Sequence, residues 1–341
     1  MPAYSIGVDL GGTNLRIAAV DQQGILLEKI TLDAKVTLGR DHVVNDMCEA
    51  IQGLAAKLRG ASSLLGIGIG VPGIIDLDTG MVRAAENLPD WADYPARAEI
   101  EKRLGMRVIL ENDANAAALG EKWLGAARDF DSMGMLTLGT GVSGGLVLGG
   151  RIWHGMSGMA SEFGHITVEP AGTRCGCGNR GCLEAYASAT AVVRMAHQAI
   201  ASGAAPSLAR AAGMNGDFSA EVIYKLATQG DEPAGQIFRI VGRMLGIALS
   251  DLVNTLNLPI YVVGGGVSSA WEAFSPSMFE ELRKRSLVYA ATDPDSSERS
   301  RAGASAHVTP GGSSKTIITR ALLGSDAGLY GAARLPMVVE T

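Results

Sequence analysis

A strand, a tight glycine-rich turn carrying a threonine, and a second strand occur twice in this chain, and this repeat constrains the fold most. The first copy runs from the apolar stretch Tyr4 to Val8 through Asp9-Leu10-Gly11-Gly12-Thr13-Asn14 into Leu15 to Val20. The second runs from Met133 to Leu138 through Gly139-Thr140-Gly141-Val142-Ser143-Gly144-Gly145 into Leu146 to Leu148. Gly149-Gly150 then turns into Arg151 to His154. The turns lie 128 residues apart, counted from Gly11 to Gly139. Residue identity between the copies is slight. Their shared geometry points to two related α/β domains facing a common cleft, and 341 residues are enough for two cores.

The rest of the chain supports an α/β reading. Ile25 to Thr31, Leu64 to Val71, Arg107 to Leu110, Ile260 to Val263 and Thr316 to Thr319 read as strands. His42 to Leu58 puts Val43, Val44, Met47, Ile51, Leu54, Ala55 and Leu58 on one helical face. Helices are also expected over Ala96 to Leu104, Asn115 to Leu124, Ala189 to Ser202, Ala220 to Gln229, Glu232 to Leu256, Phe274 to Arg285 and Ala327 to Arg334. Thr292 to Ser314 is rich in Ser, Ala, Gly, Asp and Pro and reads as a mobile insertion. The 45 glycines, against a usual share of roughly 7%, have no period of three and must serve turns and close backbone approaches.

Charge and hydropathy narrow the function classes. A net charge of −6 and no basic run argue against nucleic acid or an anionic membrane as the main partner. The uncharged stretch Ser132 to Gly150 holds seven glycines in nineteen residues, which a membrane helix would not. The opening Met-Pro-Ala-Tyr-Ser enters a strand pattern at once, without the basic and apolar regions of a secretory signal. A soluble cytoplasmic protein is expected.

Five constellations bear on chemistry. In Asp9 to Asn14 consecutive glycines can aim N–H groups into a concavity, with Thr13 adding a donor. That suits phosphate oxygens, and Asp9 could hold magnesium through water; a plain hairpin turn reads the same way. Gly139 to Gly145 and Gly68 to Gly73 formally match a dinucleotide fingerprint, but neither is followed by the helix it requires. Gly311 to Thr316 fails as a Walker loop, because Ser314 stands where glycine is needed. Glu111-Asn112-Asp113-Ala114-Asn115 sits at a strand end and helix start, where Asp113 is either a general base or a helix cap. His165 with Cys175, Cys177 and Cys182 forms a closed Cys₃His set suited to structural zinc, with reduced buried thiols or redox cysteines as alternatives. Cys48, in an apolar helix, reads as core. Glu162 and Glu184 flank the cysteine loop and suit the hydroxyls of a sugar, or are simply solvated.

Taken together, Asp9-Leu-Gly-Gly-Thr-Asn14, Glu162-Phe-Gly-His165 and Cys175-Gly-Cys-Gly-Asn-Arg-Gly-Cys-Leu-Glu184-Ala-Tyr-Ala-Ser188 resemble the ROK family of bacterial sugar kinases and related repressors. The resemblance runs from about residue 4 to residue 335. It implies two actin-like (ribonuclease H-like) α/β domains with a cleft between them, set here at residues 1–113 plus 321–341 and 114–320, the second carrying the zinc loop. It implies ATP-dependent phosphorylation of a hexose, glucose first, at the 6-hydroxyl. N-acetylmannosamine, N-acetylglucosamine or fructose are alternative substrates, and a non-catalytic sugar sensor is an alternative role.

By the same resemblance, Asp113 is the catalytic base. Gly73, Asn87, Asn112, Glu162, His165 and Glu184 lie with it on the sugar. Asp9, Gly11, Gly12, Thr13, Asn14, Thr140, Gly141, Gly264, Gly265 and Gly266 serve ATP and magnesium. His165, Cys175, Cys177 and Cys182 are the zinc ligands. A homodimer or higher homo-oligomer is expected. The glycine loop starts at Asp9, leaving no room ahead of it for the repressors' helix-turn-helix. The stretch from Thr292 to Ser314 exceeds the family's usual connection.

Overall fold

The computed structural model describes residues 3–60, 62–85, 87–88, 90–213, 218–292 and 315–338. Its first strands are β1 (Ala3–Leu10), β2 (Asn14–Asp21) and β3 (Leu26–Asp33), followed by α1 (Arg40–Leu58), β4 (Ser63–Val71), β5 (Ile74–Asp76) and β6 (Met81–Ala84). Then come α2 (Ala96–Leu104), β7 (Val108–Asn112), α3 (Asp113–Trp123), β8 (Met133–Leu138), β9 (Val142–Leu148) and β10 (Arg151–Ile152). Helices α4 (Glu184–Ala187), α5 (Ala189–Ala201), α6 (Pro206–Gly213), α7 (Ala220–Thr228) and α8 (Glu232–Leu256) follow. The chain continues through β11 (Ile260–Gly264), α9 (Trp271–Arg285), α10 (Leu287–Thr292), β12 (Ile317–Arg320) and α11 (Ala327–Val338). Of the expected insertion, Thr292 closes α10 and residues 293–314 lie outside the described residues, with Gly311 to Ser314 of the Walker-like run among them.

Two five-stranded sheets share one plan. Their orders are β3-β2-β1-β4-β7 and β10-β9-β8-β11-β12. In each, three successive strands lie side by side and two later strands join beyond the first. In the first sheet β1–β2 and β2–β3 are antiparallel, while β1–β4 and β4–β7 are parallel. The crossovers into β4 and β7 carry α1 and α2, as parallel pairing requires. In the second, β9–β10 is antiparallel and β11–β12 parallel. The repeat read from two glycine turns therefore extends to sheet topology.

By internal contacts the chain divides into two compact units, Met1–Met135 with Gly144–Ser161 and Ala321–Thr341, and Leu136–Ser143 with Glu162–Arg320. This differs from the expected division at residue 113. Helix α3 and the β9–β10 hairpin group with the first unit because α3 packs on α11. In that unit Ile6, Val8, Ile67 and Ile69 of the sheet meet Val43, Met47, Ile51 and Leu54 of α1, and Cys48 is buried among them as expected. In the second unit α8 is the long element. Asp231 caps it by accepting from the Ala234 N–H, and Asn257 ends it in the left-handed conformation at φ 47°. Among the described residues no helix is long and apolar enough to cross a membrane.

One boundary departs from the sequence reading in an informative way. Gly139 to Gly145 reads as a turn, yet β9 begins at Val142, so the turn is only Gly139 to Gly141. Gly145 lies in β9 between β8 and β10, and it must be glycine because α3 lies against it. A Cβ there would stand 2.6 Å from the Ala118 Cβ and 2.8 Å from the Ala114 carbonyl. The short β5–β6 hairpin and the single-turn α4 carry no periodic signal and were not expected.

The same close approach seats α11. A Cβ on Gly7 would sit 2.5 Å from the Ala333 N, and one on Gly68 would overlap the Ala332 carbonyl. Cβ atoms on Gly120 and Gly331 would overlap the carbonyls of Ala327 and Ala116. Backbone therefore touches backbone where α11 crosses β1, β4 and α3. Gly331→Ala is expected to destabilise the chain by roughly 3 kcal/mol, the upper range for over-packing, because neither carbonyl nor helix can swing aside. Thermal denaturation checks this; an unchanged melting temperature would show that the two helices part freely.

Candidate functional site

The first unit holds the Asp9 turn and the Asp113 turn. β1 and β2 stay in register to Leu10 and Leu15, and the Gly11 N–H donates to the Asn14 carbonyl at 2.9 Å. The Thr13 carbonyl accepts from the Ala34 N–H at 2.8 Å, and Thr13 and Asn14 are exposed. Asp9, next to the last residue of β1, is half-buried. Its Oδ2 accepts from Arg16 Nη1 at 3.0 Å, and the same nitrogen donates to the Ser325 carbonyl at 3.3 Å. Burial pushes the Asp9 carboxyl up, with Arg16 pulling the other way. A Cβ on Gly328 would come within 3.0 Å of Asp9 Oδ1, so the carboxylate faces the first turn of α11. Asn87, expected near the sugar, is exposed and lies beside Gly12.

The Asp113 turn is held by a network of side-chain hydrogen bonds. The sequence left Asp113 as base or cap. Asn112 holds the N-cap position, and Asp113 Oδ1 also accepts from the Ala114 N–H at 2.9 Å. The Asn112 side-chain oxygen accepts from the N–H groups of Ala114 and Asn115 at 2.9 and 3.2 Å. Its amide donates to the Gly73 carbonyl at 3.0 Å, which brings Gly73 and Asn112 together as expected. Gly73 itself stands at φ 107°, in space a Cβ would share with the Ala84 carbonyl. Asp113 opens α3, where helix N–H groups favour negative charge.

Two residues here had no role in the sequence reading. Glu111, 3% exposed, accepts at Oε1 from the Asn112 N–H at 2.9 Å and from Asn115 Nδ2 at 3.0 Å. Its Oε2 lies 2.7 Å from His154 Nε2. The hydrogen bond to Glu111 raises the imidazole's pKa, against the opposing effect of burial. The available signal was a glutamate inside a buried strand register, which has to be paired. At the far end of α3, Glu121 is buried and accepts from the N–H groups of Ala126, Leu322 and Leu323, fixing the approach to α11.

The second unit holds the other half of the expected residues. The Gly139 N–H donates to the Gly141 carbonyl at 2.9 Å. The Gly139 carbonyl accepts from the Ala189 N–H at 2.8 Å, and the Thr140 carbonyl accepts from the Thr190 hydroxyl at 2.8 Å. Glu184 Oε2 accepts from the Val142 N–H at 2.9 Å and leaves no room for a Cβ on Gly141. Gly264 ends β11, Gly265 stands at φ 83° against Leu138, and Gly266 starts a 3₁₀ turn into α9.

His165, Cys175, Cys177 and Cys182 come together, with one ligand atom from each lying within 4.8 Å of all the others. Cys177 and Cys182 sulfurs are 3.7 Å apart, and Cys175 Sγ is 3.8 Å from His165 Nδ1. Sulfurs on a tetrahedral zinc at ~2.3 Å would be about 3.8 Å apart. Burial pushes the Cys182 thiol up to about 12 and raises Cys175, whereas the Asn179 N–H lowers Cys177. A bound cation would reverse that burial penalty by stabilising the thiolates. Glu162 Oε2 is 4.0 Å from His165 Nε2, and Glu184 Oε1 is 3.7 Å from Cys175 Sγ, so both carboxylates adjoin the cluster.

Comparison with known proteins places these features. The model of the ROK family matches residues 5–337. A glucokinase of Thermotoga maritima is 40% identical over 284 residues, 83% of this chain and 87% of that one. A glucokinase of Streptomyces coelicolor is 33% identical over 336 residues, 97% of this chain and 96% of that one. The crystal structure of a ROK family glucokinase from Streptomyces griseus in complex with glucose and AMPPNP aligns at TM-score 0.75. It is 34% identical and covers 97% of this chain and 98% of that one.

Proposed function

Because this chain belongs to the ROK family, we infer that it is an ATP-dependent glucose kinase. The observation that carries the reading is near full-length similarity to glucokinases, in a chain that has Asp113 at the β7–α3 junction and a threonine in both glycine turns. The reaction moves the γ-phosphoryl of ATP to the glucose 6-hydroxyl. Asp113 accepts the hydroxyl proton as O6 bonds to phosphorus and the bond to the ADP oxygen breaks. Positioning and charge stabilisation supply most of the rate, and the base adds roughly 10²–10⁴-fold.

Roles divide between the units. The first supplies Asp113, with Asn112, Gly73 and Asn87 toward the sugar, and the phosphate-holding turn Gly11, Gly12, Thr13 and Asn14. Asp9 would hold a magnesium ion through water, which supplies charge neutralisation on the phosphates. The second supplies Thr140 and Gly141 for phosphate, Gly264, Gly265 and Gly266 toward the nucleoside, and Glu162, His165 and Glu184 for sugar hydroxyls. His165, Cys175, Cys177 and Cys182 would hold structural zinc, fixing the loop that carries Glu184.

A coupled ADP-release assay across a hexose panel tests the activity. Glucose should give the highest kcat/KM; turnover with no hexose, or better turnover with an N-acetylated hexosamine, would overturn the glucose reading. Asp113→Asn should lower kcat by roughly 10² or more with glucose binding largely kept. A variant retaining over half of wild-type kcat would remove the base assignment.

Metal analysis of the purified chain should find about one zinc per molecule. Cys177→Ser, at an exposed ligand position, should lose the zinc and weaken glucose binding at once, read by calorimetric titration. Active enzyme without zinc would contradict the metal assignment; zinc loss with unchanged glucose affinity would contradict only the link between loop and sugar.

A further inference from the structure

The Asp113 turn is held by a carboxylate that has no part in the chemistry above. Glu111 precedes Asn112 and Asp113 on an edge strand, yet is 3% exposed, and a buried carboxylate is costly unless every oxygen is engaged. Both are. Oε1 receives the Asn112 N–H and the Asn115 side-chain amide, at 2.9 and 3.0 Å, and so spans the turn from the end of β7 to the first turn of α3. Oε2 receives His154, which follows β10, at 2.7 Å. Asn112 in turn caps α3 and holds the Gly73 carbonyl.

We propose that Glu111 is a positioning residue for Asp113, and that His154 anchors Glu111 in place. Glu111 touches no reacting atom. It fixes the backbone at 112–115, which decides where the Asp113 carboxylate points. A misplacement of about 1 Å at a reacting group can cost on the order of 10²-fold, so the holding bonds matter to rate more than to substrate binding. His154 fits the anchor role because it reaches the second oxygen from a separate segment while its own side chain remains 36% exposed. The glutamate therefore has a partner on each side, and the turn cannot rotate without breaking one of them.

This inference rests on the glucose kinase reading, so wild-type turnover of glucose and ATP is measured first; its absence refutes that reading and leaves the variants unneeded. Steady-state kinetics then compare Glu111→Leu, Glu111→Gln and His154→Ala at saturating glucose. Glu111→Leu keeps the volume and loses both acceptors, and its kcat should fall at least tenfold with the KM for ATP within twofold. Glu111→Gln keeps an oxygen for the turn, and its kcat should return to within threefold of wild type. His154→Ala alters a partly exposed side chain, and should lower kcat three- to tenfold with the melting temperature little changed. The proposal is overturned if His154→Ala keeps kcat within twofold of wild type, or if Glu111→Gln is as slow as Glu111→Leu. If Glu111→Leu does not fold, His154→Ala and Glu111→Gln decide.

Discussion

Backbone-to-backbone contact at glycine is the constraint on which the first unit depends. Helix α11 lies on β1 and β4 at Gly7 and Gly68, and on α3 at Gly120 and Gly331, each too close for a Cβ. Packing at that distance leaves no slack, because interiors are already close to crystal density. It fixes the seat of α3, and α3 starts with Asp113. Gly145 in β9 sets the opposite contact, against Ala114 and Ala118 of the same helix. Glu121 ties the far end of α3 to the residues that lead into α11. These five glycines, Gly7, Gly68, Gly120, Gly145 and Gly331, thus serve to hold one helix still.

The two glycine turns proposed to hold phosphate are built differently from these contacts. Gly11 to Asn14 and Gly139 to Gly141 are hairpin tips closed by their own backbone bonds, with exposed threonines. The second is held in addition by Ala189, Thr190 and Glu184, so the proposed sugar ligand Glu184 also shapes the proposed phosphate turn. Asp9 shows the same economy in the first unit, where Arg16 binds the carboxylate and the chain before α11 together. Asp9 and the Gly139 to Gly141 turn are thus each fastened by a neighbouring side chain, Arg16 in one case and Glu184 in the other.

Local pattern made much of this legible. Short apolar runs located β1, β2, β4 and β8, which are buried over consecutive residues, and helical spacing located α1 and α8 closely. Cysteine spacing brought three thiols and His165 to one point because glycine lets the short loop turn sharply. What stayed hidden was long-range. Val142 to Gly145 reads as turn, yet it lies in β9, paired between β8 and β10, and α3 against it requires the glycine at 145. Asp113 as base or cap was undecidable from sequence, because Asn112 next to it has equal capping chemistry, and in the fold both side chains accept from the Ala114 N–H. Glu111 was visible beside them, but its partner His154 lies 43 residues on, beyond any local pattern.

The central claim is that the β7–α3 junction delivers one carboxylate, that of Asp113, to the sugar hydroxyl that takes the phosphoryl group. A crystal structure of the chain with glucose and a non-hydrolysable ATP analogue measures this directly. The expected result is glucose O6 within about 3 Å of an Asp113 carboxylate oxygen, the reach a general base needs, with Glu111 still engaged by Asn112, Asn115 and His154. An O6 in hydrogen-bond reach of no carboxylate, or of one other than Asp113, would contradict it.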